Sequence, residues 1–347
     1  MGAEQLIVGV TTVVVTALAL VAVRPVLARR NVLDVPGHRS AHSVPTLRGA
    51  GIGVTAGVTV AAATAATIMT SREHRVGLLL AAAAVLATAA LGAREDVSGL
   101  SVARRLALQA GIGVSGSVAL LAWSGTSLWL CLPLTLWVVG YVNVTNFMDG
   151  VNGISGVHGL VTGLYFLLLG ARDGGAPALA VLGLVTAVAF TTWLPWNLGG
   201  RRMFLGDAGS YLLGALVAFS AILAVVSGAP LWATFAPGAV YIADTGWTLA
   251  RRALRGERWY EAHRSHVYQK LVDIGWSHVG VAILVGAATA LCGGAALVAL
   301  HDPSQSPWSV ALTVLVLAGY LAAPRLLGRS ADRDARRHAE RTPHGEV

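Results

Sequence analysis

The sequence predicts an all-α, polytopic membrane protein with about eleven transmembrane helices, its N-terminus outside and its C-terminus cytosolic. Three observations carry that prediction. The 347 residues are 55% hydrophobic and only 12% charged, about half the charged fraction of an ordinary soluble domain. Apolar runs of about 16–22 residues recur along nearly the whole chain, close to the length that spans a bilayer as a helix. Finally, 22 of the 25 Lys and Arg residues fall in alternate connections, and such an excess marks the cytosolic side.

The first run, 6–23, has the length of a secretory signal, but the residues before it hold Glu4 and neither Lys nor Arg. It therefore reads as a retained anchor. The remaining runs are 49–69, 76–92, 106–123, 128–144, 156–170, 178–194, 209–227, 230–248, 279–300 and 309–326. The connections 24–48, 93–105, 145–155, 195–208 and 249–278 then share the cytosolic face and carry most of the basic residues. The opposite connections are short, and of the Lys and Arg residues only Arg72, Arg75 and Arg172 fall there. Residues 1–326 form one membrane domain without an internal repeat. The polar, mixed-charge stretch 327–347 reads as a disordered cytosolic tail. The net charge of +8 is explained by this asymmetry, so nucleic acid is not a predicted partner. Cys131 and Cys292 lie inside spans and have no metal-ligand spacing.

Because the outer connections are nearly featureless, any chemistry belongs to the cytosolic face. Four acids stand there at span ends: Glu95 and Asp96 in "GAREDVSGL", Asp149 in "NFMDGVNG" and Asp207 in "MFLGDAGSYLLG". Each alone has a structural explanation. Asp207 with Ser210 could cap the helix that starts there, and Asp149-Gly150 and Asn152-Gly153 are turn signals. Taken together, the acids with Asn143, Asn146, Asn152 and Asn197 make an oxygen-rich set suited to Mg²⁺, which binds through one or two carboxylates plus substrate phosphates. Mn²⁺ is the substitute ion. The neighbouring glycines let a ligand approach the backbone. Cations for phosphate oxygens come from Arg39, His42 and Arg48 in "DVPGHRSAHSVPTLRGAG" and from His263, Arg264, His266 and Lys270 in "EAHRSHVYQKL". The three-residue spacing of His263 and His266 would show both rings on one helix face.

These stretches, in this order from about 34 to 271, resemble the polyprenyl-phosphate N-acetylhexosamine-1-phosphate transferases. The forms "HRSAH" and "AHRSHVYQKL" look most like the bacterial branch that serves surface polysaccharides. The resemblance implies an inner-membrane enzyme that moves a sugar phosphate from a UDP-N-acetylhexosamine to a polyprenyl phosphate, with membrane lipids as surroundings and a homodimer compatible with it. By position it implies Asp207 as the Mg²⁺ ligand, Asp149 and Asn152 at the nucleotide pocket, and Phe204 near the uracil. Glu95 and Asp96 would lie by the lipid phosphate, His263 and His266 on substrate phosphates, and Arg39, His42 and Arg48 at the lipid entrance. This chain departs from the family where Glu95 replaces a usual Asp, and where Asn152, which cannot act as a base, replaces an Asp.

Two rival classes fit less well. A secondary transporter would set its acids near the midplane on interrupted helices with repeat symmetry, whereas here they gather at one face. A Mg²⁺-dependent membrane prenyltransferase would need two Asp-rich motifs, and the sequence has one acidic pair.

Overall fold

The computed structural model describes residues 2–35, 44–172, 174–199, 202–258 and 263–341, with side-chain surroundings as far as 328. It is helical almost throughout: α1 (Ala3–Arg29), α2 (Gly51–Ile68), α3 (Arg72–Ser98), α4 (Val102–Ser124), α5 (Cys131–Met148), α6 (Ile154–Ala171) and α7 (Pro177–Leu198) come first. Then follow α8 (Gly206–Val226), α9 (Leu231–Phe235), α10 (Ala239–Leu254), α11 (Val267–Asp273), α12 (His278–His301) and α13 (Ser306–Arg341). Boundaries follow local chemistry. Ser71, Ser101 and Ser277 each accept a first-turn N–H of α3, α4 and α12. Gly125 ends α4 in the left-handed conformation, and Pro177 opens α7.

Among the described residues ten helices are long and apolar enough to cross a membrane. The segment read from sequence as a single span over 230–248 is instead broken. It consists of α9, a 3-10 turn at Ala236–Gly238 and α10. Pro237 stands in the turn and cannot donate to a continuous ladder. The segment still runs from one end of the bundle to the other. Ala233 O accepts from Tyr165 near the C-terminal end of α6, whereas Asp244 of α10 bonds to the start of α11, which touches the α5–α6 turn. Among the described residues there are thus ten helices long enough to cross and one interrupted apolar segment beside them.

α8 is the central helix, buried over nearly its whole length. Close approach rests on small residues, since lipid tails give helices no hydrophobic reason to associate. A Cβ added at Gly51 of α2 would lie 2.5 Å from Gly209 Cα of α8. Three short strands tie the N-terminal end of α8 to the first connection: β1 (Leu33–Asp34), β2 (Thr46–Arg48) and β3 (Met203–Phe204). β1 and β2 are antiparallel with Asp34 opposite Thr46, and β2 and β3 are parallel with Arg48 opposite Phe204. α13 continues without interruption through Arg341, beyond the span end at 326 read from the sequence.

Candidate active site

The turns that join α5 to α6 and α7 to α8, together with the small sheet, meet at one end of the bundle around a cavity of about 290 Å³. Its walls carry Asp34, Arg48, Asn146, Asp149, Asn152, Asn197, Phe204 and Asp207. The sheet sets Arg48. Gly49 N and Ala50 N both donate to Phe204 O, so the residue before them is held with its guanidinium over the start of α8. Arg48 Nη2 lies 3.0 Å from Asp207 Oδ1 and 2.9 Å from Asp96 Oδ1.

Asp207 is not the cap of its own helix, as the sequence allowed. That part is played by Asp96 from the end of α3, whose two oxygens accept from Asp207 N and Ala208 N, each at 2.9 Å. A carboxylate at a helix N-terminus is favoured by the orphan N–H groups and the helix dipole. Gly206 makes the fit, with φ of +72° and no side chain; a Cβ there would lie 2.6 Å from Asp96 Oδ2. Asn146 Nδ2 then donates to both Asp207 Oδ1 and Ser210 Oγ, at 2.9 Å each. Asp149 follows α5 directly, and its Oδ1 accepts from Ser155 Oγ at 2.5 Å.

The sequence-predicted residues divide between cavity and support. Arg48, Asn146, Asp149, Asn152, Asn197, Phe204 and Asp207 line the cavity. Asn197 also accepts from Gly153 N at 2.6 Å, which fixes the turn that carries Asp149 and Asn152. Asp96 sits behind Asp207, with its oxygens taken up by the start of α8 and by Arg48. Glu95 is turned toward Arg105, 3.7 Å away, and does not line the cavity. Asn143 donates to Gln109 of α4 at 2.6 Å, deeper between the helices. Arg264 pairs with Asp273 at 2.8 Å. Arg39 and His42 fall outside the described residues. The two histidines do not share a helix face, because α11 begins only at Val267. Their rings stack instead, centroids 5.0 Å apart, on the segment leading into it.

Two acids were missed. Asp34 of β1 lines the cavity; in sequence it is a single acid beside Pro36 and carries no signal of its own. Asp244 is completely buried in α10. Its Oδ1 takes His266 Nδ1 at 3.1 Å and Val267 N at 2.9 Å, and its Oδ2 takes Tyr268 N at 3.2 Å and Tyr320 Oη at 2.6 Å. Tyr268 Oη in turn donates to Phe147 O. This carboxylate therefore docks the histidine segment onto the turn that bears Asp149. The signal was present, since a lone acid within an apolar run requires a partner.

Burial, opposed by the Ser155 hydrogen bond and reinforced by the nearby Asp207 charge, pushes the Asp149 carboxyl up to about 7. For Arg48, partial burial works the other way, but Asp207 and Asp96 outweigh it and hold the guanidinium above its ordinary value. The donor set fits a hard divalent cation. Among the described residues no protein donor reaches the second carboxylate oxygen of Asp207 or of Asp149. No three His, Cys, Asp or Glu side chains among the described residues come together closely enough to cage an ion.

Comparison with known proteins gives the chain's relatives. Residues 76–225, which hold Glu95, Asp96, Asp149 and Asp207, match the family model for glycosyl transferase family 4. The chain is 26% identical to a decaprenyl-phosphate N-acetylglucosaminephosphotransferase of Mycobacterium tuberculosis, over 95% of this chain and 91% of the relative. It is 28% identical to a probable undecaprenyl-phosphate N-acetylglucosaminyl 1-phosphate transferase of Bacillus subtilis, over 79% of this chain and 80% of that one. With a phospho-N-acetylmuramoyl-pentapeptide-transferase of a Synechococcus strain the identity is 33%, but over 58% of this chain and 63% of the relative. Over the segment that holds these acids the chain thus matches glycosyl transferase family 4, and along most of its length it is similar to polyprenyl-phosphate N-acetylglucosamine phosphotransferases.

Proposed function

We propose that the protein transfers N-acetylhexosamine-1-phosphate from a UDP-sugar to a polyprenyl phosphate at the cytosolic face of the plasma membrane and releases UMP. The observation that carries this reading is the meeting of Asp207, Asp149 and Arg48 in one cavity at the end of a membrane-spanning bundle. A soluble nucleotide and a lipid headgroup can reach such a place together.

In the transfer, an oxygen of the lipid phosphate attacks the β-phosphorus of the UDP-sugar, and the bond to the bridging oxygen breaks, leaving UMP. Mg²⁺ held by Asp207 would neutralise the pyrophosphate and the charge that grows on the departing phosphate. The chain's own residues do the rest. Asp96 fixes the start of α8 and with it the direction of Asp207. Arg48 offers a cation to a phosphate oxygen in the cavity. Asp149 has a proton affinity close to that of a phosphate monoanion, so it accepts the last proton of the lipid phosphate. Asn152 and Asn197 orient the nucleotide side, with Phe204 against the base.

The test is UMP release by purified protein given Mg²⁺, polyprenyl phosphate and a panel of UDP-N-acetylhexosamines, with UDP-N-acetylglucosamine first. Chelation by EDTA is expected to abolish release, and added Mg²⁺ to restore it. Failure of every donor in the presence of both lipid and metal overturns the reading.

A further inference from the structure

The C-terminal turn of α10, the helix α11 and the stretch of α13 after Tyr320 lie side by side. Two bonds stitch them, Tyr320 Oη to Asp244 and Arg251 Nη2 to Ser265 O at 2.9 Å. Four cations stand at this junction: Arg251, Arg255, Lys270 and Arg325. The first, second and fourth all act electrostatically on Lys270, and Arg251 is also in the field of Arg255 and Arg325.

Four other cations at this end of the bundle have carboxylate partners, whereas Arg94 and Arg104 have none among the described residues. Arg48 has Asp96 and Asp207, Arg105 has Glu95, Arg252 has Glu257 at 2.8 Å, and Arg264 has Asp273. None of the four clustered cations has one within ion-pair distance among the described residues. Two acids act on them: Glu257, which is paired with Arg252, and Asp244, which is wholly buried with both oxygens engaged by the start of α11 and Tyr320. Partial burial together with Arg251, Arg255 and Arg325 brings the Lys270 ammonium below its ordinary value, as expected where positive charge is left unbalanced.

A second observation says where the missing anion comes from. Leu254, next to Arg255, is 89% exposed, and Leu326, next to Arg325, is 61% exposed. Exposed apolar side chains next to cations suit a bilayer interface, where stems and leucines lie among acyl chains and charged heads meet phosphates.

We propose that Arg251, Arg255, Lys270 and Arg325 form a site for the phosphate headgroup of an anionic bilayer phospholipid, with Leu254 and Leu326 against its acyl chains. This site is distinct from the reaction cavity, which none of the four residues lines. Asp244 and Arg251 are seven residues apart and share a helix face, and that face meets α11 and α13. The occupant is thus a structural lipid that fastens the junction holding the histidine segment, not the polyprenyl phosphate on its way to Asp207. The inference rests on charge and placement and stands whether or not the sugar donor is correctly named.

The full-length protein, reconstituted with phosphatidylglycerol or phosphatidylcholine, tests it by native mass spectrometry and thermal unfolding. Wild type is expected to retain phosphatidylglycerol through delipidation and to unfold at a higher temperature with it than with phosphatidylcholine. The triple variant R255Q/K270Q/R325Q should lose about fivefold in phosphatidylglycerol affinity for each charge removed, while K270R keeps it. In phosphatidylcholine the triple variant should be at least as stable as wild type, since mutual repulsion is relieved. The exposed single change R325Q provides the same readout if the triple does not assemble. Undiminished phosphatidylglycerol binding in these variants overturns the proposal. So does a KM for polyprenyl phosphate that rises in parallel with the lost phospholipid, or equal stabilisation of wild type by millimolar inorganic phosphate.

Discussion

Asp207 carries the most weight of any single side chain. It is held by Arg48 and Asn146 on one oxygen and leaves the other to the cavity. Replacing it by Asn removes the charge and keeps the shape, so Asp207→Asn is expected to lower kcat at least about 10³-fold, as loss of metal-borne charge stabilisation does. Expression and thermal midpoint should stay near wild type, and UMP release is the assay. Asp149 makes a prediction in pH. With its carboxyl pushed up to about 7, kcat/KM should fall about tenfold per pH unit on the acid side of that value, because the protonated form cannot accept a proton. The same shift acts on stability with the opposite sense. The folded state binds this proton more tightly than the unfolded chain, so the contribution grows as pH falls from about 7 toward 4. It is lost as pH rises through 7. Asp149→Asn should therefore lose activity yet show a smaller drop in thermal midpoint between pH 5.5 and pH 8 than wild type. Gly206→Ala sets a side chain at φ +72° against Asp96 Oδ2. It should reduce kcat about tenfold and lower the midpoint, since left-handed backbone alone costs about 1–2 kcal/mol for a residue with a Cβ.

At the scale of elements, the interrupted crossing and α11 act as a bracket. Asp244 collects donors from α11 and from Tyr320 of α13, and so sets the height at which the histidine segment rests on the α5–α6 turn. Tyr320→Phe deletes one hydrogen bond to a carboxylate and should cost about 1.5–3 kcal/mol. Asp244→Asn is expected to cost more, because an amide nitrogen now faces N–H donors. Both are read by thermal unfolding alongside kcat, and wild-type stability in Asp244→Asn would remove the bracket from this account. The element-level reading of the sequence ran two helices of one interrupted segment together here. Residues 230–248 are apolar enough to be taken as one helix, and periodicity alone does not say that Pro237 divides it, or that Asp244 turns inward to a partner some 20 residues on.

For the whole molecule, the basic connections and the candidate cavity occupy the same end, and the excess of positive charge there predicts that this end faces the cytosol. A cysteine at Ser304, on the opposite connection between α12 and α13, should react with an impermeant maleimide in intact cells. A cysteine at Glu257, beyond α10, should react only after permeabilisation. The reverse pattern would place the cavity on the wrong side for a cytosolic nucleotide sugar. The long apolar helices, their number to within the one broken crossing, and the gathering of acids at one end were all legible in the sequence, because bilayer thickness and loop charge constrain each segment separately.

What the sequence determined by itself is which residues can lie in lipid and which connections gather the polar motifs, since these follow from hydrophobic length, charge asymmetry and the order of short polar motifs. It also singled out Asp207, Asp149 and Arg48 as candidates. Only the tertiary structure decided how they divide the work. Asp96 serves the start of α8, Glu95 and Asn143 turn to neighbours outside the cavity, and Asp34 and Asp244 enter as unannounced acids. The reason is physical: a carboxylate's role depends on which donors reach its two oxygens, and those donors come from helices more than 20 residues away in the chain.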